Sequence, residues 1–534
     1  MDKVVDVLSE VRAKLPRALT EIQVPSYRDI PKKLKEAPLW VKISLGTSAV
    51  SYCYIRYKWT AMNDWGVPVL TPSLLTFGTA GHYAVDNGFN ELADKELKDK
   101  NRKTVGYYRL TSPVIFTVDH ELINAVFTTH FGSFSARQPD MGSFGVGKEL
   151  KHTLDILTCP VQWRRVRQSI SPSFSNVQLE KMMSVTKARL DILCDQIRNL
   201  NGEKINVKGV TGKYTMDGFL AGAMGVDLEL EDLRDFTKSK EYMYFHEIFN
   251  PGAQIFLTVF IPGFGDLLDS LEIPIYATEA VRWFTGYCKA MLNADTPQTD
   301  RRNFLEIFKK LKITDEEAKA ATKGLTHDEI ISQIFVLFAA GFETTATLLQ
   351  FAIYEICKNA DLQERLVEEI SGVGEDYSNF NSKKLPLLCA TLNETLRLYA
   401  PAGVHLRYCN NDVVINGIPF SKGSNVEVPV DALHENTEYW GADACDFNPD
   451  RWISNPDYEK APFFLPFGAG PRNCVGMRFA NMQARLGLMR ILKTFKLEFP
   501  KDFVPDVKRT RLTTFLLAPS KDIDVCFLPR EYIN

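Results

Sequence analysis

The sequence predicts a mainly α-helical protein with small β-sheets, that is, an α+β fold. Three observations support this prediction. Helical periodicity dominates from about residue 120 to about residue 400, one apolar helical segment runs for about thirty residues, and strand-like runs are short and lie outside that region. The composition, with 45% hydrophobic and 24% charged residues, is that of an ordinary globular protein. Because no linker divides the 534 residues, we expect one large folded domain.

Charge and cysteine usage exclude several classes of function. The chain has 63 Lys and Arg against 66 Asp and Glu, a net charge of −3, so the sequence does not indicate a nucleic acid as a partner. The ten cysteines contain no C-x-x-C pair and no regular framework. We therefore expect neither a disulfide scaffold nor a zinc site, and a reducing compartment for the folded domain.

The N-terminal region contains a candidate membrane anchor. Residues 1–39 form an extension in which apolar residues at helical spacing predict an amphipathic helix over residues 3–15. The anchor is predicted over residues 40–59, because Trp40–Ile55 is the least polar stretch of this region and has aromatic and basic flanks. It is shorter than the roughly 20 apolar residues that a span needs. A helix lying on the membrane, or on the folded domain, is therefore the alternative.

A break in the pattern separates this region from the folded domain. Residues 60–72 contain Gly66, Pro68 and Pro72, which interrupt any helix and predict a stiff hinge. We expect a single domain over residues 73–534.

The elements of this domain can be placed from their patterns. Two short strands are predicted at residues 105–110 and 113–118. The clearest helix begins at Thr326, which opens a capping box with Glu329, and it continues to about Lys358. At 1.5 Å per residue this helix is roughly 45–50 Å long, and its apolar character on nearly all sides predicts burial. Further strands are predicted at residues 412–415 and 425–428, and a further helix at residues 477–493, as the patterns after residue 400 indicate.

One cysteine stands in a glycine-rich loop with residues at fixed offsets around it. Cys474 has a phenylalanine seven residues before it, an arginine two residues before it and glycines on both sides. Glycines allow the backbone to turn with positive φ and to approach a flat ligand closely. Backbone N–H groups of such a loop can hold a thiolate, and the arginine can bind an anionic group. The other nine cysteines are interpreted as small buried hydrophobes.

This loop resembles the heme-binding signature of the cytochrome P450 family, Phe-x-x-Gly-x-Arg-x-Cys-x-Gly, with every fixed position filled. The resemblance covers nearly the whole chain from Gly66 onward. It implies the cytochrome P450 fold, with a long central helix over heme b and the cysteine loop below it. Cys474 is then the axial ligand of the heme iron, and Phe467, Gly468 and Arg472 contact the cofactor.

A second motif lies inside the long helix, at residues 339–345. A glycine within a buried helix costs about 1 kcal/mol relative to alanine, and the small side chains at Ala340 and Gly341 leave room for a flat group. The alternative is a packing patch of small residues with Thr344 bonded back to its own helix. The segment resembles the oxygen-activation motif of the same family. By position, Ala340 then contacts heme, Thr344 orients dioxygen and Glu343 supplies protons.

Basic residues elsewhere resemble the family's binding sites for the heme propionates. Trp163 and Arg167 match a Trp-x-x-x-Arg helix whose tryptophan and arginine bond a propionate. Arg407 and Arg137 are further candidates. The same helix carries two more arginines, which we expect to face outward toward an electron donor: Arg164 and Arg165. A generic basic helix face is the alternative for this segment.

The resemblance also separates structural residues from catalytic ones. Glu394-Thr-Leu-Arg397 places opposite charges on one helical face. The family joins such a pair to an arginine of a later loop, here Arg451, and thereby stabilises the core beneath the heme. We expect these three residues to be structural.

Taken together, the motifs imply a heme-thiolate monooxygenase most similar to the microsomal group that includes drug-oxidising enzymes and thromboxane synthase. This implies NADPH-cytochrome P450 reductase as partner, with cytochrome b5 as a second candidate, a lipophilic small-molecule substrate and membrane lipid. It also implies the endoplasmic reticulum membrane, with the catalytic domain facing the cytosol. Substrate is expected to contact Phe342, Ala340, residues 402–404 and residues 513–516, and to enter past the apolar stretch 255–264. The alternatives are an isomerase or dehydratase of lipid peroxides, and a heme-binding sensor without turnover.

Overall fold

The computed structural model of the chain describes residues 50–72, 95–98, 102–109, 111–137, 150–226, 233–249, 267–268, 270–271, 273, 278–293, 303–373, 384–511 and 516–530. Four predictions fall wholly or partly outside these residues: the extension 1–39 with its amphipathic helix at 3–15, the anchor as far as residue 49, the apolar stretch at 255–264 and the loop at 513–515.

Helices make up most of the described chain, as the periodicity predicts. The main α-helices are α1 His120–Asn124, α2 Pro160–Ile170, α3 Asn176–Arg198, α4 Val207–Phe219, α5 Lys240–Phe249, α6 Thr278–Asn293, α7 Phe304–Lys310, α8 Asp315–Ala318, α9 His327–Lys358, α10 Ala360–Ser371, α11 Pro386–Leu398, α12 Val430–His434, α13 Thr437–Trp440, α14 Asp450–Ser454 and α15 Met477–Thr494. Single turns of π-helix extend α1 and α4, at Ala125–Thr129 and Leu220–Met224.

The strands are short and form small sheets. They are β1 Thr104–Arg109, β2 Ser112–Thr117, β3 Lys204–Asn206, β4 Val404–Tyr408, β5 Val413–Ile415, β6 Ile418–Phe420, β7 Asn425–Pro429, β8 Phe495–Glu498, β9 Arg509–Arg511, β10 Leu517–Pro519 and β11 Asp524–Pro529. The largest sheet has the order β1-β2-β7-β4, in which β2 and β7 are parallel and the other pairs antiparallel. A second sheet has the order β3-β11-β8. The predicted α+β class is therefore correct.

The long helix α9 crosses the core. Its capping box is formed as predicted, because the Thr326 hydroxyl accepts from the Glu329 N–H and the Glu329 carboxylate accepts from the Thr326 N–H at 2.9 Å. Its N-terminal half packs into a cluster with α2, α4 and α6, and its C-terminal half packs into another with α3, α11 and α15. In the described part of the chain, α9 alone is long and apolar enough to cross a membrane, but 78% of its apolar window is buried inside the protein. It is therefore a core helix.

Hydrogen bonds to one buried carboxylate join three segments of the chain. Glu394 accepts from Arg397 of the same helix at 2.7 and 2.8 Å and from the Arg451 Nε at 3.0 Å. The indole N–H of Trp452 donates to the same carboxylate at 2.8 Å, and the backbone N–H of Asn448 at 2.9 Å. With five donors around it, the Glu394 charge is fully compensated although its side chain is 0% exposed.

The first described segment lies against the largest sheet. Residues 50–58 are helical, and Val50, Tyr52 and Tyr54 are exposed. After them, Trp59, Met62 and Trp65 are buried in the cluster that contains β1 and β2. The part of the predicted hinge up to Trp65 therefore packs on the domain, while the boundary at residue 72 stays a prediction.

Candidate active site

The ligand loop, residues 467–476, is a closed turn that glycine makes possible. Gly468 and Gly470 have φ values of +70° and +68°, a backbone conformation that residues with a side chain rarely adopt. A Cβ atom at Gly470 would lie 1.9 Å from the carbonyl oxygen of Phe127. The Cys474 N–H donates to the Phe467 carbonyl at 2.8 Å and closes the loop. The loop therefore has one defined conformation around its cysteine.

Cys474 is solvent-accessible although protein atoms surround it closely. This desolvation raises the pKa of its thiol, while the N–H groups of Gly476 and Met477 and the guanidinium groups of Arg167 and Arg137 act to lower it. All four of these groups favour the thiolate. The thiolate is the form of cysteine that binds a metal ion, so an accessible cysteine beside these groups is a candidate metal ligand.

Three guanidinium groups lie together beside this loop. Arg407 is buried and its Nη2 donates to the Ala469 carbonyl at 3.2 Å; Arg137 donates to the Arg472 carbonyl at the same distance. Desolvation and mutual repulsion lower the pKa of Arg472 to about 9 and place that of Arg407 well below its ordinary value. Within the described residues, none of the three has a carboxylate within 4 Å, and Arg407 Nε and Arg472 Nη1 are buried without a hydrogen-bond partner.

Helix α2 brings Trp163 and Arg167 to the same loop. The Arg472 guanidinium lies over the Trp163 ring at 4.6 Å from its centroid. Arg167 donates to the Asn473 carbonyl oxygen at 2.8 Å and to its side-chain oxygen at 2.9 Å. The two residues that the sequence pairs by their spacing are therefore both in contact with the ligand loop.

The expectation that Arg165 faces outward is wrong. Arg164 is exposed, but Arg165 is buried and forms a double hydrogen bond with Glu329, the capping residue of α9, at 2.6 and 2.8 Å. It also donates to the carbonyl of Gly324. Arg165 fastens α2 to the start of the central helix, and only Arg164 of this pair can meet a partner.

Two residues of α9 open a small accessible face on an otherwise buried helix. Ala340 is exposed and Thr344, one turn later, is half-buried. The Thr344 hydroxyl donates to the Ala340 carbonyl at 2.6 Å, the bond that the packing alternative predicts. Packing alone, however, would cover both residues. Their accessibility shows that packing does not fill the space along this face.

The acid of the motif faces a different direction. Glu343 is 4% exposed and its Oε1 lies 3.5 Å from the Nζ of Lys208 on α4, whose ammonium group also lies over the Tyr242 ring. Glu343 therefore does not share the accessible face of Ala340 and Thr344.

The expected substrate contact of Phe342 is also wrong. Its side chain is 0% exposed and packs edge-to-face against Phe236 and Tyr242. Residue 342 lies on the side of α9 opposite to Ala340, because successive helical residues are rotated by about 100°.

The comparisons with known proteins agree with this geometry. The family model for cytochrome P450 matches residues 68–527, which is most of the chain. The chain belongs to the cytochrome P450 family.

Its curated relatives are similar over almost their whole length. The chain is 29% identical over 513 residues to cytochrome P450 3A9 of Rattus norvegicus, covering 94% of this chain and 98% of the relative. It is 30% identical over 506 residues to cytochrome P450 3A11 of Mus musculus, covering 92% and 97%. Cytochrome P450 3A31 of Mesocricetus auratus is 31% identical over 452 residues, covering 82% and 87%. The protein is a cytochrome P450 monooxygenase, and its cofactor is heme b.

The residues of this cytochrome P450 fit that cofactor. Heme carries two carboxylates, and the partnerless nitrogens of Arg407 and Arg472 are buried donors that two such anions would satisfy. Gly476 leaves the space beside the sulfur without a side chain, because a Cβ atom there would lie 4.0 Å from the Cys474 Sγ. The residues fit the group in charge, in shape and in ligand chemistry.

Sequence motifs do not reveal every residue at this site. Lys208 pairs with Glu343, and His405 and His434 both hydrogen-bond to the segment that precedes the ligand loop. Lys208 and His405 belong to no motif, and His434 lies in the stretch Ala432-Leu-His-Glu, which resembles the family but gives no role for the histidine. The contacts of all three join elements that are distant in the sequence.

Proposed function

We propose that this cytochrome P450 inserts one oxygen atom of O2 into a lipophilic small molecule, by hydroxylation or epoxidation, with electrons from NADPH. The accessible Cys474 among thiolate-stabilising donors is the observation that carries the proposal. Heme bound through a cysteine thiolate supplies the chemistry of O2 reduction and oxygen transfer. Ala340, Phe467 and Gly468 would lie against its ring.

Each polar residue has a proposed task around that chemistry. Cys474 would ligate the heme iron, and the backbone N–H groups of Gly476 and Met477 act to lower the pKa of its thiol against the desolvation that raises it. The heme propionates would be bound by the basic group around the loop and its aromatic neighbour: Arg137, Trp163, Arg167, Arg407 and Arg472. These residues orient the cofactor and neutralise its charge.

Thr344 and Glu343 are proposed to manage protons. The Thr344 hydroxyl holds a proton at the accessible face of α9 by donating to the Ala340 carbonyl. Glu343 is buried beside Lys208, whose side chain is 21% exposed. A carboxylate beside a partly exposed ammonium group can exchange protons with solvent, and Glu343 would do so on a side of α9 different from the accessible face of Ala340 and Thr344.

The partners and the location follow from the same proposal. NADPH-cytochrome P450 reductase is the proposed electron donor, with cytochrome b5 as a second one, and the exposed Arg164 lies on a helix that also carries Trp163. We place the protein at the endoplasmic reticulum membrane with its catalytic domain toward the cytosol. Residues 40–59 are the proposed anchor, and the exposed Tyr52 and Tyr54 with neighbouring basic residues suit a membrane interface.

Turnover by the purified protein tests this function. The holoenzyme is combined with microsomal reductase, NADPH and a panel of lipophilic compounds, beside Cys474→Ala, Thr344→Ala and the matched control Thr345→Ala. Thr345 is the adjacent threonine of α9, but it is buried away from the accessible face. We expect product that disappears in Cys474→Ala, falls in Thr344→Ala and persists in Thr345→Ala.

Two other results would contradict the proposal. Equal losses in Thr344→Ala and Thr345→Ala would remove the special role of Thr344. Conversion of lipid hydroperoxides without NADPH, together with no oxygenation of the panel, would instead identify the protein as a peroxide isomerase or dehydratase.

A further inference from the structure

Two imidazole rings bind the backbone of one residue just before the ligand loop. The N–H of Leu465 donates to Nε2 of His434 at 2.9 Å. The carbonyl oxygen of Leu465 accepts from Nε2 of His405 at 2.7 Å and from the N–H of Gly468 at 3.0 Å. Every hydrogen-bonding group of this backbone unit is therefore engaged.

The partners settle the protonation state of His434. Its Nδ1 lies 2.9 Å from the carbonyl oxygen of Arg397, which can only accept, so Nδ1 carries the proton. Its Nε2 faces an N–H donor and must present a lone pair. The ring is therefore neutral, in agreement with burial lowering the pKa of His434 to about 3. Bound in this way, His434 connects the backbone of α11 to Leu465.

The second ring makes the connection from the opposite side. His405 lies on β4, and its Nε2 must carry a proton because Leu465 presents a carbonyl oxygen. The same ring packs against Gly468, where an added Cβ atom would lie 3.6 Å from it. Arg407, two residues further along β4, bonds the Ala469 carbonyl. The strand thus holds both ends of the Leu465–Ala469 segment.

This segment sets the position of the cysteine. Leu465 lies two residues before Phe467, whose carbonyl accepts the Cys474 N–H at 2.8 Å, and its own carbonyl accepts from Gly468 inside the loop. A shift of the Leu465 backbone would therefore displace the start of the ligand loop at Phe467 and Gly468, and with it Cys474, which is hydrogen-bonded to Phe467. The loop has few side chains of its own with which to resist such a shift, because glycines occupy positions 468, 470 and 476.

We propose that His434 and His405 are positioning residues for the axial ligand, which act by holding the Leu465 backbone with one hydrogen-bond acceptor, on His434, and one donor, on His405. The inference rests on the proposed role of Cys474 as that ligand. Loss of the His434 bond leaves the Leu465 N–H without a partner, and loss of the His405 bond leaves the Leu465 carbonyl with the Gly468 N–H alone. Water or a shifted loop must then replace the missing imidazole. The expected consequence is a cysteine that leaves the thiolate-ligated state more readily.

Glutamine and asparagine substitutions separate the two bonds of His434. A glutamine side chain reaches the place of Nε2, so His434→Gln keeps the acceptor for Leu465 and loses the donor to Arg397. An asparagine reaches only the place of Nδ1, so His434→Asn keeps the donor and loses the acceptor. For His405, the Gln variant keeps the donor to Leu465 and the Asn variant loses it.

The readout is the ratio of thiolate-ligated to thiol-ligated heme in the spectrum of the reduced, CO-bound holoenzyme, together with the rate of heme loss. We expect both Gln variants to match the unmutated protein. We expect both Asn variants to lower the ratio and to release heme about tenfold faster, the equivalent of about 1.4 kcal/mol. His405 is half-buried on a strand, so its variants test the idea even if those of His434 do not fold.

Three outcomes would overturn the inference. Asn variants that keep the ratio would show that the bonds to Leu465 do not position the cysteine. Equal losses in the Gln and Asn variants would assign the effect to ring packing. An unmutated holoenzyme without a thiolate signature would overturn the role of Cys474 itself, which distinguishes failure of the proposed function from failure of this inference.

Discussion

Replacement of Arg407 by methionine should have opposite effects on the apoprotein and on the heme-loaded protein. Arg407 is buried, its Nε has no hydrogen-bond partner, and the guanidinium groups of Arg137 and Arg472 repel its charge. Such a charge is unfavourable unless an anion compensates it. In the loaded protein a heme propionate would be that anion.

The magnitude follows from the two states. Without heme, removal of a buried, uncompensated charge is neutral or stabilises by about 1–4 kcal/mol, as for buried ion pairs replaced by apolar residues. Methionine keeps the apolar stem of the side chain but loses the guanidinium group, whose Cζ lies over the Phe127 ring at 3.9 Å from its centroid, so this lost contact limits the stabilisation. With heme, loss of a charge-assisted bond costs about 1.5–3 kcal/mol, so that heme affinity falls about 10- to 100-fold.

Two measurements check this prediction. Thermal unfolding of the apoprotein should give an equal or higher midpoint for Arg407→Met, and transfer of heme to an excess of a scavenging protein should be faster. The exposed Arg164→Met serves as control, with both quantities unchanged. A destabilised apoprotein together with unchanged heme transfer would refute the reasoning, because Arg407 would then be a structural residue with no role in holding the cofactor.

Three further predictions concern buried polar groups. Trp452→Phe removes the indole N–H that donates to Glu394 at 2.8 Å and should lower the free energy of unfolding in urea by about 2 kcal/mol. An unchanged free energy would mean that the other donors compensate the Glu394 charge without the indole. Lys208→Met leaves Glu343 without its cation and should cost about 1–3 kcal/mol in the same assay, with Lys208→Arg close to the unmutated protein. The pKa of His434 is lowered to about 3 in the folded protein, so as the pH falls this imidazole is protonated in the unfolded chain before it is protonated in the folded one. The free energy of unfolding should therefore fall by about 2 kcal/mol from pH 6.5 to pH 5. His434→Gln should show a smaller fall over the same range.

Local signals predicted the elements well. The capping box at Thr326 and the apolar run behind it predicted a helix to about Lys358, and α9 spans His327–Lys358. The predicted helix over residues 477–493 is Met477–Thr494 in the structure. These elements are encoded by short-range chemistry, that is, by caps, by glycine and by periodicity.

The direction in which a side chain points was harder to predict. The sequence Trp163-Arg164-Arg165 shows three adjacent large residues, but only the position of Glu329 on α9 decides that Arg165 turns inward. The inward direction of Phe342 similarly depends on Phe236 and Tyr242. A motif defines positions along a helix, whereas neighbouring elements decide which of them face a cleft.

The sheet β3-β11-β8 also constrains the order in which the protein can be completed during synthesis. Strand β11 pairs with β3 through Val525 and Ile205, and with β8 through Phe527 and Leu497. On the ribosome, β3 is therefore exposed long before its partner emerges, and its edge stays open while α4 to α15 are made. Contacts between residues so distant in sequence form slowly. The edge of β3 should thus be a site where the nascent chain needs protection from aggregation until β11 is released.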